Sequence, residues 1–470
     1  MDNYLLEIDS FEPAEIYSLI NSFDDKSFTL LAKGSYNNFK NIFSKKANVF
    51  VKGYDSFLNT SNLTIKPLPI YKEILDIVVN DVNSMLFRDR FGMFPKRGIG
   101  VMHYLRYINI FVWNAISFLK ENNFEFIYFR NTPHTIEEWI LARVAEYLNV
   151  KILVTERYVL PWRYAIFAGF GKYRDVLLIE GLYPKTLNEK EVDLLDSFIK
   201  LNNKSYEKAI PSYEKNRLGK SIFKYYNPFK DISRFYQRPD LIINKYLCYK
   251  AYQSYSIEPN LENKYICFFL HYQPERTSLP EGYGFTQQLT AIIELRQATP
   301  KCISIYVKEH PSIFTNYCGV KERHPTFYKD INAIEGVQSI ALDTDTFKLI
   351  DYSIATATLT GTVGLQSILR NRPVIFFGRT LMNFSGVHQY TSYDELLTFI
   401  KLITNIKIDV KKNAVLFLKQ ILYNSVTGIN NYKGNIDVHS SKSIQQNAHL
   451  RLLEKIICQD VKKSHKAETG

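Results

Sequence analysis

Four short stretches of this 470-residue sequence group side chains that can do chemistry. In SIYVKEHPSIF, Ser304 to Phe314, an apolar run meets Lys308, Glu309 and His310 and is turned by Pro311. A Lys or His there can give a charge-assisted hydrogen bond to a phosphate or carboxylate oxygen, worth roughly 1.5–3 kcal/mol. A surface loop with incidental charges explains the same letters. In ATATLTGTVGLQSILRN, Ala355 to Asn371, Thr358, Thr360 and Thr362 surround Gly361 just before a helical pattern. Hydroxyls and open N–H groups there suit an anion, and Gly361 allows close approach to the backbone. Ordinary N-capping by Thr is the plainer reading, but four Thr within Thr356–Thr362 exceed what a cap needs. No GK[ST] follows Gly361, so this is not a P-loop.

LHYQPERTSLPEG, Leu270 to Gly282, brings His271, Gln273, Glu275 and Arg276 out of another apolar run. RNTPHTIEEW carries Arg130, His134, Glu137 and Glu138 at the start of a helical pattern. The two Glu complement a helix N-terminus; equally, His134 or Glu137 can act as a general base. Arg157 and Arg163, in TERYVLPWRY, could contact an anionic acceptor or a lipid phosphate.

The elements that must position these groups are legible from periodicity. FEFIYF (124–129) and KILVT (151–155) flank a helical pattern over 132–149, a βαβ unit that implies a parallel sheet. A longer helix is expected from Gly98 to about Asn122, and residues 1 to about 95 show no clear rhythm. From Lys264 the alternation returns: strands YICFFL (265–270), CISIYV (302–307), VQSIAL (337–342), DYSIAT (351–356) and PVIFF (373–377), with helices over 285–298 and 362–371. This is a doubly wound α/β sheet, which binds ligands at the carboxyl ends of its strands. The polar clusters after YICFFL, after CISIYV and before TVGLQSILRN then converge on one site. Asp343-Thr344-Asp345 has the letters of a DxD motif but suits a helix cap. The expected division is 1–200, a polar, basic and aromatic connector with helical pieces over 201–260, a second α/β domain over 261–404, and helices with a polar tail over 405–470.

Composition narrows the class. An apolar content of 46% supports large cores and excludes a wholly disordered chain. The formal charge of +12 suits phosphorylated small molecules, anionic lipid or nucleic acid. The charge is spread along the chain and no RNA- or DNA-binding motif accompanies it, so no nucleic-acid partner is expected. Five cysteines without a CxxC predict neither a disulfide framework nor a zinc site, and Cys267 and Cys302 read as small core residues. The N-terminus is acidic without an apolar core, and Ile108–Leu119 is too short to span a bilayer. The expectation is a cytoplasmic protein, soluble or peripheral on the inner face of the inner membrane.

VKEHP, TGTVGLQSILRNRPVIFFG and TPHTIEEWILARVAEYLNVKILV resemble the bacterial capsule polysaccharide biosynthesis proteins, glycosyltransferases of the GT-B type, over about residues 120–380. More distantly the His-Pro and Ser/Thr pair is similar to that of sialyltransferases, Kdo transferases and CDP-glycerol-dependent polymerases. The resemblance implies two Rossmann-like domains facing a cleft. The N-terminal one would take a glycan or lipid-linked acceptor, with Arg130, Arg157 and Arg163 as candidate contacts. The C-terminal one would take a nucleotide-sugar donor, often CMP-linked to a 2-keto acid sugar such as Kdo or a nonulosonic acid. His310 matches the motif histidine that contacts the donor phosphate, and Thr358, Thr360 and Thr362 match the hydroxyl cluster beside it. His134 and Glu137 match the polar pair from which a base would come. Related sequences often have an acidic residue where Gln366 stands, so ribose or base recognition would differ.

The reading is a metal-independent glycosyltransferase of surface polysaccharide. Lys308, His310, the Thr cluster with Gly361, and His271, Gln273, Glu275 and Arg276 would bind the donor, with no cofactor beyond it. Two alternatives remain: a polyol-phosphate transferase using CDP-glycerol or CDP-ribitol, and a non-catalytic protein of the same fold.

Overall fold

The computed structural model describes residues 2–8, 11, 13–33, 36–62, 69–90, 100–160, 163–171, 176, 189–203, 225–227, 239–273, 275–315, 322–427 and 450–458. The chain divides into two compact units, Met1–Leu187 with Gln420–Gly470, and Asn188–Lys419. Each is an α/β unit built on a seven-stranded sheet.

The first unit holds β1 (Asn3–Glu7), β2 (Ser27–Ala32), β3 (Val49–Gly53), β4 (Phe126–Phe129), β5 (Lys151–Arg157) and β6 (Arg163–Ala168). The second holds β7 (Ser256–Ile257), β8 (Tyr265–Phe269), β9 (Ser304–Lys308), β10 (Val337–Ile340), β11 (Ala355–Thr358), β12 (Val374–Phe376) and β13 (Val387–Gln389). A last strand, β14 (Val426–Thr427), pairs antiparallel with β6.

In the first unit the strand order is β14-β6-β5-β4-β1-β2-β3, parallel from β5 to β3. The described elements from β1 to β3 therefore alternate as β-α-β-α-β, where the sequence shows no clear rhythm. The helices there, Pro13–Asn21 and Tyr36–Phe43, are short, and the second buries only Phe39 and Phe43. The helix Ile136–Tyr147 begins with a capping box. Thr135 Oγ1 accepts from the Glu138 N–H at 3.4 Å, and Glu138 Oε2 accepts from the Thr135 N–H at 3.3 Å. Leu452, Leu453, Ile456 and Ile457, in the 450–458 helix, pack into the core with Tyr4, Phe28 and Tyr128, so the chain end returns to this unit.

The second sheet runs β13-β12-β11-β8-β9-β10-β7, parallel throughout. Both faces are covered, which is why its strands read as continuous apolar runs. Ile266 and Phe268 pack on one side with Ile292 and Tyr328, while Tyr265 and Cys267 pack on the other with Leu349 and Ile350. Each such side chain contributes roughly 1.5–3 kcal/mol by burial.

Of the helical, basic connector expected over 201–260, the helix Pro239–Tyr255 is described: it buries Leu241, Cys248 and Tyr252 and packs on the Pro325–Asn332 helix. The connector's stretches 204–224 and 228–238 lie outside the described residues, as does most of the polar tail. Asp351 and Tyr352 end a helix, Thr346–Tyr352, rather than begin a strand; Asp345 caps that helix by accepting from the N–H groups of Phe347 and Lys348 at 2.7 and 3.0 Å. Cys302 precedes β9 and is exposed. Among the described residues no helix is long and apolar enough to cross a membrane.

Candidate functional site

The pairing register of β11, β8 and β9 aligns Thr358, Phe269 and Lys308 across three adjacent strands. The chain leaves β8 toward β9 and β10 on one side, and β11 leads to β12 and β13 on the other. The β8–β11 boundary is thus a topological switch point, the place where open α/β sheets bind ligands. A pocket opens there, lined by His271, His310, Thr358, Thr360, Gly361 and Thr362, with Glu275 and Gln366 in its wall. Of the ten positions expected at the donor site, this pocket brings together eight: His271, Glu275, Lys308, His310, Thr358, Thr360, Gly361 and Thr362.

His271 is buried and its ring is held by the loop after β11. The Thr360 N–H donates to Nε2 at 2.8 Å. An N–H can only donate, so Nε2 is the acceptor and the ring hydrogen sits on Nδ1. Burial, then His310 and Arg323, brings the His271 pKa down from 6.5 to about 3, so the ring is neutral. Gly361 is required by the closeness of this packing. A Cβ at that position would lie 2.9 Å from Thr358 Oγ1 and 3.2 Å from His271 Cε1.

The Thr side chains play a different part from the one expected. Thr358 Oγ1 donates to the Phe269 carbonyl at 3.1 Å and Thr360 Oγ1 to the Thr277 carbonyl at 3.0 Å. Their hydrogens build the loop and do not point at a ligand. Thr362 precedes the seven-residue helix Val363–Leu369 but makes no side-chain cap bond, so plain N-capping does not account for it.

The Lys-Glu-His-Pro run splits between scaffold and site. Lys308 is 3% exposed and its ammonium donates to the carbonyls of Ala341, Leu342 and Thr344 at 3.2, 2.9 and 2.7 Å. All three donors are spent, so the expected phosphate contact by Lys308 is not what its geometry provides. Burial lowers its pKa to about 8. The Glu309 carboxylate is buried too. Oε1 accepts from the His310 N–H at 2.8 Å, and Oε2 accepts from Tyr328 Oη at 2.9 Å and Arg323 Nε at 3.1 Å. His310 Nδ1 accepts from the Ser312 N–H at 3.3 Å, which puts its hydrogen on Nε2, and its ring meets Tyr272 edge-on at 5.7 Å.

Gln273 and Arg276 leave β8 but do not line the pocket. Gln273 is buried against Arg323, Gln288 and the Thr286 carbonyl. Arg276 pairs with Glu281 at 3.4 Å. Sequence reasoning missed Arg323, which precedes the Pro325–Asn332 helix. The available signal was a second His-Pro, His324-Pro325, whose histidine caps that helix.

In the first unit, both Glu137 oxygens are occupied: Tyr107 Oη donates to Oε1 at 2.8 Å and Lys33 Nζ to Oε2 at 3.0 Å. His134 Nδ1 lies 3.0 Å from the Thr132 carbonyl and 3.3 Å from Glu138 Oε2. A carbonyl only accepts, so Nδ1 carries the hydrogen and Nε2 is the basic nitrogen. Burial pushes the Glu138 carboxyl up, but His134 and two backbone N–H groups outweigh it and bring the group to about 2. Arg157 is exposed at the end of β5, Arg130 is mostly buried, and Arg163 is 1% exposed. Arg163 therefore does not present itself to an acceptor in solution. Among the described residues no group of three or more His, Cys, Asp or Glu is placed to hold a metal ion.

Residues 284–424 match the family model described as capsule polysaccharide biosynthesis protein. No curated protein matches the chain. Among solved structures, the β-Kdo 2,4 transferase of Thermosulfurimonas dismutans KpsC is 13% identical, with 59% of this chain and 78% of that chain covered and a TM-score of 0.30. The β-Kdo 2,7 transferase of the same KpsC is 11% identical, with 90% and 99% covered and a TM-score of 0.29. UDP-GlcNAc 2-epimerase from Methanocaldococcus jannaschii is 12% identical, with 90% and 99% covered and a TM-score of 0.24. Likenesses at such scores carry no argument about activity. The family match covers less than a third of the chain, and it spans the loop with His310 and the turn with Gly361.

Proposed function

We propose that this protein is a glycosyltransferase of bacterial surface polysaccharide, of the GT-B type. In this reading it moves a CMP-activated 2-keto acid sugar to a glycan or lipid-linked acceptor. One observation carries the choice of donor. The pocket at the ends of β8, β9 and β11 has a single lysine or arginine in its described lining, Lys308, and that ammonium is spent on three carbonyls. A ligand there meets two imidazoles, the Thr362 hydroxyl and the Gln366 amide, with the Glu275 carboxyl group in the wall. A described lining that offers no further lysine or arginine suits the single negative charge of a CMP-sugar phosphodiester better than the two charges of a nucleoside diphosphate, which call for free cations or a metal.

His310 then hydrogen-bonds the departing phosphate from Nε2, stabilising charge that develops in the transition state. Of the two candidate bases we take His134, because both Glu137 oxygens already accept hydrogen bonds. No metal takes part in this account, so EDTA leaves turnover unchanged.

The test is a thermal-shift and calorimetric panel of CMP, CDP, UDP and GDP, each with and without Mg²⁺. Selective stabilisation by CMP alone is the expected result. A CDP-selective response identifies a polyol-phosphate transferase instead, and a UDP or GDP response that needs Mg²⁺ overturns the donor assignment.

A further inference from the structure

Resting on the donor reading above, we propose that Arg323 is a positioning residue: its guanidinium ties the ends of β8 and β9 together and fixes His271 against His310. Arg323 does not line the pocket, and it is 4% exposed. It reaches three groups on two strand ends. Nη2 donates to the His271 carbonyl at 3.0 Å, Nη1 to Gln273 Oε1, and Nε to Glu309 Oε2 at 3.1 Å.

Each histidine is anchored through its backbone to this one cation. The His271 N–H donates to Gln288 Oε1 at 2.8 Å, and Gln288 Nε2 donates to Gln273 Oε1 at 2.8 Å. Both polar backbone atoms of His271 are therefore held within the Arg323–Gln273–Gln288 cluster. On the other side the His310 N–H donates to Glu309 Oε1, the carboxylate that Arg323 and Tyr328 grip at Oε2. The path from one imidazole to the other is His271, Arg323, Glu309, His310, with hydrogen bonds at every junction between residues distant in sequence. A planar guanidinium is the side chain that can address a carbonyl, an amide oxygen and a carboxylate at once; an ammonium cannot reproduce that fork. The positive charge also faces His271 and opposes its protonation. The expected donor ligand Gln273 is thereby explained: it sits at the end of β8 because it builds the frame that aims the histidines.

The test uses the full chain with Arg323→Lys and Arg323→Gln. Imidazole ¹⁵N spectra of His271 and His310, assigned with His271→Asn and His310→Asn, report the tautomers, and calorimetry reports CMP affinity. The wild type is expected to hold the hydrogen on Nδ1 of His271 and on Nε2 of His310. In Arg323→Lys, with an unchanged circular dichroism spectrum, both signals are expected to move toward averaged tautomers and CMP affinity to fall on the order of 100-fold, as for a small misplacement of binding groups. A folded variant with wild-type imidazole signals and undiminished affinity overturns the proposal. Should neither Arg323 variant fold, Glu309→Gln is read instead: displaced His310 signals with His271 unmoved are expected, and unmoved His310 signals overturn it. If the wild type binds no CMP, the donor reading fails, and the imidazole signals alone decide the role of Arg323.

Discussion

The Thr360 N–H donates to Nε2 of His271 at 2.8 Å, joining the turn after β11 to the end of β8. This bond exists only while the His271 ring is neutral, because a protonated Nε2 has no lone pair to offer.

A pH dependence follows. The His271 pKa falls from 6.5 to about 3 on folding, chiefly through burial. Below pH 6.5 the unfolded chain takes up a proton that the folded chain refuses. Stability from this group is thus fully present above pH 6.5 and is lost as pH falls toward 3, with a slope of up to roughly 1.4 kcal/mol per pH unit. Urea unfolding at pH 7.5 and 5.5 should show a larger loss in the wild type than in His271→Asn. Equal losses in both would exclude a depressed His271.

Lys308→Met should act on stability before affinity. It strips the carbonyls of Ala341, Leu342 and Thr344 of a buried donor. Each carbonyl left unpaired costs about 1–3 kcal/mol, so a large drop in melting temperature is expected. A variant with wild-type melting but lost CMP affinity would return Lys308 to the phosphate.

Two glycines separate packing from binding. At Gly364 a Cβ would overlap the Phe376 ring, inside the core, so Gly364→Ala should cost roughly 1–3 kcal/mol in chemical unfolding. At Gly361 the added Cβ meets Thr358 Oγ1 and His271 at the pocket wall. Gly361→Ala should weaken CMP binding in calorimetry with a smaller loss of stability. The reverse ranking would remove Gly361 from the site.

His134→Gln and Glu137→Gln discriminate the two candidate bases. General-base catalysis is worth roughly 10²–10⁴-fold, and that loss in kcat is expected for His134→Gln. Glu137→Gln should retain most of the activity, since its carboxylate serves Lys33 and Tyr107. The opposite pattern would make Glu137 the base.

Much of the second unit was legible because its strands are buried on both faces and announce themselves as apolar runs. YICFF and SIYVK fall at 265–269 and 304–308, within about two residues of the expected bounds. The pocket residues were found because they directly follow those runs. What each side chain does there was not legible. Lys308 and Gln273 carry the chemistry of ligands, but their partners, Thr344 and Arg323, lie 36 and 50 residues away in sequence. No spacing rule connects such pairs. Arg323 itself follows none of the apolar runs read as strands, so position offered no cue. In the first 62 residues the opposite difficulty arose: NYLLE and VFVKG mix polar with apolar residues, and the alternation emerges only from their pairing in one sheet.

The most direct measurement is acceptor-dependent release of CMP from a CMP-linked 2-keto acid sugar, compared between the wild type and His310→Ala. The account predicts release by the wild type in EDTA, and a fall of roughly 10²–10³-fold in a folded His310→Ala, the scale of one lost transition-state donor. Release unchanged in the folded variant, or turnover of a nucleoside-diphosphate sugar in place of the CMP donor, would contradict it.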